Sequence, residues 1–427
     1  MFARKHNLTN FLNFVAKVIP HPLELSLAPE EVSQCLRARD GFVWLDSSNY
    51  LESGRPARSL LTARPEAVLT GHISDVSLLR EALNSLPAQR AVDLGLPMGG
   101  LFGFVEFSGR FCFGLYPHVL IYDHSTQRWI EVGTISEAFE TGIQVCDTIP
   151  ALDFASQMQR EQFIHIIRRA IDYIAAGDIY QVNLAQQFLS AWPPGADAFR
   201  FYQRLRHFSP APHAAFLDLG GKQVLSASPE LFLRMSGRTI ITRPIKGTRP
   251  RKREPQEDER SAYELLTSAK EIAELIMITD LERNDLGQVC DYGTVLVPEL
   301  LKLQRFEQVF HLSSTVQGTL RSDVDHLAAL QACFPGGSIS GAPKRRALEV
   351  IAELETTQRG LYTGAIGYIG AGGESQFNIA IRTAVAEEDR MHFHTGAGIV
   401  SDSVPDREYE ETWDKAASIL GAVAWRP

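Results

Sequence analysis

Cysteine is scarce in this chain: five in 427 residues (Cys35, Cys112, Cys146, Cys290 and Cys333), scattered, and never in a Cys-x-x-Cys spacing. An odd, dispersed set excludes a disulfide framework or structural zinc site as the basis of the fold, and it fits a reducing, cytoplasmic setting. Long hydrophobic runs are lacking too. No stretch approaches the ~20 apolar residues that cross a bilayer, and the N-terminal segment has interrupted apolar character with no small-residue cleavage site. The expectation is a soluble, unprocessed protein with no membrane partner. Positive charge is also short, 42 Lys and Arg against 51 Asp and Glu, which excludes a nucleic-acid footprint and a polybasic anchor. Any anionic ligand must therefore be met by locally placed cations.

What is present is ample apolar content, 44% of a chain long enough for one large domain or two closely packed ones. Residues 1–150 alternate short strand-like runs with Gly-, Pro- and Ser-rich loops and read as a supporting or regulatory region. Residues 151–427 carry the stronger patterns. The apolar spacing Phe163, Ile166, Ile167, Ala170, Ile171, Ile174 predicts a helix ending at Gly177. AAFLDL, KQVLSA, LFLRM and TIITR, separated by short turns, predict an antiparallel meander that delivers Lys246 at its end, and GAIGYIG, SQFNIAIRTAVA and MHFHTGAGIV predict a second. Helices are expected at about 258–279, 343–354 and 405–420, the second with Pro343 in its first turn. Segregated strand runs with helices between them indicate an α+β fold.

The chemistry-bearing residues are carboxylates at helical spacing, glycine-rich loops and a few cations. In KEIAELIMITDLERNDLG, Glu271 and Glu274 share a helix face, and in SVPDREYEETWDKAASIL, Glu408 and Glu411 repeat the spacing, with Lys415 one turn on. Two such pairs can converge on one cation: Mg²⁺ keeps waters and substrate oxygens in its shell, so one or two bound carboxylates with others holding waters would serve. Solvated helix faces with ordinary ion pairs give the same letters. FPGGSISGAPK, which contains Ser338, offers backbone N–H groups and a helix N-terminus to an anion. HTGAGIVSDS offers a glycine-rich bend in which Gly396 and Gly398 permit close backbone approach to a ligand, although each loop also reads as a plain tight turn. Arg382, in NIAIRT, is a candidate two-point carboxylate grip, and Lys415 a second cation. Arg283-Asn284-Asp285 reads as a hydrogen-bonded knot ending a helix.

In the order GDIYQVNLAQ, SASPELF, RPIKGTRPR, KEIAELIMITDLERNDLG, HLSSTVQG, FPGGSISGAPK, RGLYTGAIGY, IAIRT, GAGIVSDS and EYEETWDK, these motifs resemble the chorismate-utilising enzymes across roughly residues 155–420. The resemblance implies two stacked, largely antiparallel β-sheets with helices packed outside, chorismate as substrate and Mg²⁺ as cofactor. It implies Glu274 and Glu411 as direct metal ligands and Glu271 and Glu408 as holders of metal-bound water. Arg382, Tyr362, Lys415 and the Gly396-Ala397-Gly398 backbone would hold the substrate carboxylates, with Ser338 also against the substrate. Glu230, in SASPELF, matches the family's acid, and His311, in HLSS, a histidine near the substrate ring. A structural ion pair and a satisfied core histidine are the other readings of these two.

Two positions separate the branches of that family. Isochorismate and salicylate synthases carry a water-activating lysine in a K-V-V-L type stretch, where this chain has Gln181-Val182-Asn183-Leu184. Anthranilate synthases place alanine in P-I-A-G-T, and aminodeoxychorismate synthases place lysine, as Pro244-Ile245-Lys246-Gly247-Thr248 does here. The expectation is amination of chorismate at C4, on the route to p-aminobenzoate and folate, through a covalent intermediate on a desolvated Lys246, with Glu230 protonating the leaving hydroxyl. No cysteine stands in a G-x-C-x-G elbow, so ammonia is expected from a separate glutamine amidotransferase subunit. Anthranilate synthase component I and a non-catalytic chorismate-binding subunit are the alternatives. Trp44-Leu45-Asp46-Ser47 is similar to the element around which related enzymes bind tryptophan, making Asp46 and Ser47 a candidate tryptophan site; a buried strand with a capping turn explains the same letters.

Overall fold

Along the strand His213–Leu219, Phe216 belongs to one apolar core and Leu217 to another, because successive strand residues point to opposite faces. That alternation, repeated along many strands, builds a two-layer sandwich. The computed structural model describes residues 20–47, 57–86, 95–139, 151–306 and 309–424; the expectations for residues 1–19 and for Cys146 lie outside them. Within the described residues a twelve-stranded sheet faces a ten-stranded one, and every described strand pairing is antiparallel. Phe102, Tyr116, Ile121, Leu217, Val224, Ile366 and Val385 pack between the sheets. Helices Ala198–Phe208 and Pro405–Ala424 cover the outer face of the larger sheet. Ser77–Ser85, Ala269–Gly287 and His326–Cys333 cover that of the smaller. This is the α+β sandwich the sequence implies.

The meanders differ from expectation in one respect that matters for the site. Strands His213–Leu219 and Lys222–Ser228 lie in the larger sheet, whereas Leu231–Ser236 and Thr239–Arg243 lie in the smaller. The expected meander is therefore two hairpins, and the chain changes sheet at Pro229-Glu230. The second repeats this in reverse: Ala365–Gly370 and Glu374–Ile379 belong to the smaller sheet, Thr383–Glu387 and Arg390–Ile399 to the larger. Arg382, with φ 49°, stands at that crossing. The crossings are tied together, Ile379 N–H donating to Glu230 O at 3.1 Å and Ala227 N–H to Arg382 O at 3.0 Å.

The strands before residue 150 contribute to both sheets, Val43–Asp46 pairing with His213–Leu219 and Gly100–Val105 with Ala365–Gly370. The expected helix at 258–279 is two helices, Pro255–Leu266 and Ala269–Gly287, separated at Thr267-Ser268, where the Ser268 side chain accepts from the Glu271 amide and caps the second. Pro343 is the N-cap of Lys344–Leu354 and not inside its first turn. The helix expected to stop at Gly177, Arg160–Ala175, ends just before that residue, which stands at φ 83°. Cys35, Cys112, Cys290 and Cys333 are free thiols. Among the described residues no helix is long and apolar enough to cross a membrane.

Candidate active site

Lys246 lies on the strand Ile245–Pro250, where the register against Val309–Thr319 slips between Lys246 and Thr248. Gly247, at φ 67°, makes the bulge; a methyl group there would come within 3.0 Å of the Glu271 carboxyl. The Lys246 Nζ is 3.8 Å from Glu274 Oε2, with both side chains largely buried. A methyl on Gly398 would stand 3.7 Å from the same Nζ. The Lys246 side chain, expected to be desolvated, is largely but not fully buried and has a carboxylate beside it.

Glu230, 5% exposed at its sheet crossing, accepts a hydrogen bond from Ser338 Oγ at 2.6 Å. Burial pushes its carboxyl up to about 7. The Ser338 hydroxyl, Lys246, the Ile245 amide and Lys415 all pull the other way without cancelling burial. Ser338, expected against the substrate, thus directs its hydroxyl proton to Glu230.

His311 is 2% exposed, and its Nδ1 lies 3.2 Å from Gly247 O and 3.0 Å from Thr248 Oγ1. A carbonyl only accepts, so that bond assigns the proton to Nδ1 and leaves Nε2 as an acceptor. Burial first, then the Arg382 charge, lowers the imidazole to about 4, so it is neutral at neutral pH. Burial alone lowers Arg382, and none of the described acids pairs with it. A largely buried arginine with no described acid beside it is suited to receive an anionic group.

Gly396, Ala397 and Gly398 do not form the expected bend. They lie inside the strand Arg390–Ile399, opposite Ala185, Leu184 and Asn183 of Gln181–Ala191. Glycine serves here for clearance: a side chain at Gly396 would meet Asn183 Oδ1 at 2.6 Å and Tyr362 Oη at 2.9 Å. Ala397 faces the opposite side, packed under the helices with Val182 and Ile351. Lys415 Nζ donates to Gly396 O at 2.8 Å and pairs with Glu411 Oε1 at 2.7 Å. Tyr362 is 6% exposed, its hydroxyl pushed upward chiefly by burial.

Each of the four expected metal-site acids has a cation nearby. Glu271 lies 3.7 Å from Arg249, Glu274 lies beside Lys246 and 4.0 Å from Lys270, Glu408 receives Lys270 at 3.2 Å, and Glu411 receives Lys415. Among the described residues, no three His, Cys, Asp or Glu side chains form a ready-made metal cage. Two observations nonetheless fit a divalent cation. The Glu408 Oε2 is buried with no hydrogen-bond partner. Burial raises Glu274, with Glu271 and Glu411 adding repulsion against the opposing pull of Lys246 and Lys270. Burial also opposes ionisation of Glu411, but Lys415, Lys270 and Lys246 together outweigh it and the net shift is downward.

Sequence reasoning missed Lys270. Its position one turn before Glu274 and beside Glu271 was the available signal. The knot at Arg283-Asn284-Asp285 reduces to Asp285, which is buried and receives Lys344 Nζ at 2.5 Å, while Arg283 and Asn284 are exposed. Asp46 and Ser47 line a separate cavity of about 150 Å³ together with Arg58, Arg234, Arg243 and Tyr368. Asp46 is ion-paired with Arg206, and Ser47 Oγ donates to Arg58 O at 2.7 Å.

The two-sheet sandwich thus carries clustered acids, a mostly buried lysine and an arginine with no described acid beside it. The chain belongs to the chorismate binding enzyme family, whose sequence profile matches residues 104–421. It is 47% identical over 270 residues to anthranilate synthase component 1 of Thermus thermophilus, covering 63% of this chain and 58% of that protein. It is 43% identical over 273 residues to aminodeoxychorismate synthase component 1 of Bacillus subtilis, covering 63% and 57%. The chain thus matches somewhat over half the length of these curated relatives. Among solved structures, anthranilate synthase component I from Streptococcus pneumoniae superposes with TM-score 0.76 at 30% identity, covering 87% of this chain and 93% of that one. The menaquinone-specific isochorismate synthase of Escherichia coli shares the fold, with TM-score 0.79 at 17% identity over 95% of this chain and 94% of that one.

Proposed function

We propose that this chain aminates chorismate at C4, giving 4-amino-4-deoxychorismate, as aminodeoxychorismate synthase component I. The observation that carries the reading is the position of Lys246, whose Nζ lies against Gly398 and 3.8 Å from Glu274, with Glu230 close enough to feel its charge. As the free amine, Lys246 bonds to C2 of chorismate while the ring π electrons shift and the C4–O bond breaks. Glu230 gives its proton to the departing hydroxyl, which leaves as water. Ammonia then adds at C4, the electrons shift back and the C2–Nζ bond breaks. After loss of a proton from the new amine, the sum is chorismate plus ammonia to aminodeoxychorismate plus water. Arg382 and Lys415 hold substrate carboxylates, and Tyr362 packs beside them. Neutral His311, its Nδ1 proton fixed on Gly247 O, presents Nε2 as an acceptor. Glu274 and Glu411 would hold Mg²⁺, with Glu271 and Glu408 on its waters, and the ion would supply charge that neutralises and orients a substrate carboxylate.

Ammonia is supplied by a separate glutamine amidotransferase subunit, so glutamine supports turnover only when that subunit is added. The cavity beside Asp46 and Ser47 is the candidate tryptophan site, with a structural role. Mass spectrometry of the protein with chorismate and Mg²⁺, without ammonia, tests the central step: an adduct on Lys246 is expected, and its absence during productive turnover counts against the reading. Anthranilate synthase component I is the second reading, favoured by the Thermus thermophilus relative. Anthranilate plus pyruvate as products would select it, whereas an aminated ring that keeps its enolpyruvyl group selects the first.

A further inference from the structure

Behind Glu230 lies a second buried carboxyl that the reaction described above does not use. Glu282, 3% exposed on the helix Ala269–Gly287, accepts from the Gly337 amide at 3.1 Å through Oε1 and from Thr242 Oγ1 at 3.3 Å through Oε2. Gly337 opens the short turn Gly337–Ile339, and the next residue, Ser338, donates to Glu230 at 2.6 Å. One three-residue turn is thus held at one end by Glu282 and presses a hydroxyl onto Glu230 with its next residue. The contact is close: a methyl at Gly337 would stand 3.1 Å from Glu282 Oε1 and 2.6 Å from Leu281 Cδ2.

We propose that Glu282 is a positioning residue, whose carboxyl pins the Gly337 amide so that the Ser338 hydroxyl stays on Glu230. This rests on the reading of Glu230 as the proton donor. The groups facing Glu282 are Asp285 on its own helix, Lys344 on Lys344–Leu354 and Glu230 across the turn, and Cys333 adjoins the same group of charges. Those facing Glu230 are Ser338, Lys246, the Ile245 amide and Lys415. Ser338 stabilises the ionised form of Glu230, so a slackened turn lets Glu230 hold its proton to higher pH.

Three substitutions separate reach from charge. Glu282→Asp keeps the charge but withdraws the carboxyl by one methylene, Glu282→Gln keeps an acceptor at full reach without the charge, and Gly337→Ala pushes the turn away from the other side. The pH profile of kcat and the KM for chorismate are measured on whichever product forms. Glu282→Asp and Gly337→Ala are expected to lower kcat about ten-fold or more, leave KM within about two-fold and move the alkaline limb to higher pH. Glu282→Gln is expected to restore most of kcat. The alkaline limb is assigned to Glu230 by its loss in Glu230→Gln. Wild-type-like profiles in both Glu282→Asp and Gly337→Ala overturn the proposal, as does an impaired Glu282→Gln beside an intact Glu282→Asp, which would assign the role to charge. If Glu282→Asp fails to fold, Gly337→Ala decides alone. A wild-type enzyme that lacks a Glu230-dependent limb refutes the Glu230 reading itself, a result distinguishable from failure of the Glu282 proposal.

Discussion

Glu230 stays protonated until about pH 7 because ionising it inside the sandwich costs solvation that Ser338, Lys246, Ile245 and Lys415 only partly return. As the proposed proton donor it would act in its neutral form, so kcat is expected to fall as pH rises through about 7, and the fall should vanish in Glu230→Gln together with most activity. Stability carries the same signature. Between 4.5, where an exposed glutamate ionises, and about 7, the unfolded chain has lost a proton that the folded one keeps, so folding is progressively disfavoured. Glu230→Gln removes that burden and should be more stable than wild type at pH 8 by up to about 3 kcal/mol, with little difference at pH 4. Denaturant titrations at the two pH values check this. Lys246→Ala should lose C4 amination on the order of a thousand-fold or more and form no adduct with chorismate. At this scale the sequence was legible wherever a residue sits in a distinctive motif, as Lys246, Glu230 and Arg382 do. It was not legible for Lys270 or Glu282, whose roles depend on partners, Glu408 and Gly337, far away in the chain.

The strand Arg390–Ile399 shows how an element can be read correctly as glycine-rich and wrongly as a bend. Extended backbone accepts glycine without strain, and its value here is the space left for Asn183, Gln181, Tyr362 and Lys246. Gly398→Ala should therefore raise the KM for chorismate by about ten-fold while leaving the melting temperature nearly unchanged, because the methyl would meet Gln181 Nε2 at 2.7 Å, a movable side-chain end. Helix positions were readable where the signal is local, as at Gly177, although the equally local Ser268 cap that divides 258–279 into two helices went unread. The switch between sheets at Pro229-Glu230 and at Arg382 was not. A hairpin has the same alternation of apolar residues whichever layer it joins, and only the partner strand decides the layer.

For the whole molecule, strands from before residue 150 and from after it share both sheets and the core between them. Phe102→Ala, which empties part of that shared core, should cost about 3–5 kcal/mol in a denaturant titration. His311 and His394 are buried and His213 is mostly so; all three are neutral, lowered chiefly by burial to about 4, about 3 and about 3. The unfolded chain takes up these protons near 6.5 and the folded one does not, so stability present above 6.5 should be lost steeply towards pH 4. The sandwich architecture followed from the family motifs. The cavity geometry did not, because it is set by how two layers register on one another.

The chain crosses between layers at Glu230 and again at Arg382, so the proposed proton donor and the proposed anion receptor ride on the seam between two slabs. A shear of one slab over the other by a fraction of an ångström alters their separation while every strand remains paired. Turnover should accordingly decline under hydrostatic compression well before the pressure at which the fold is lost.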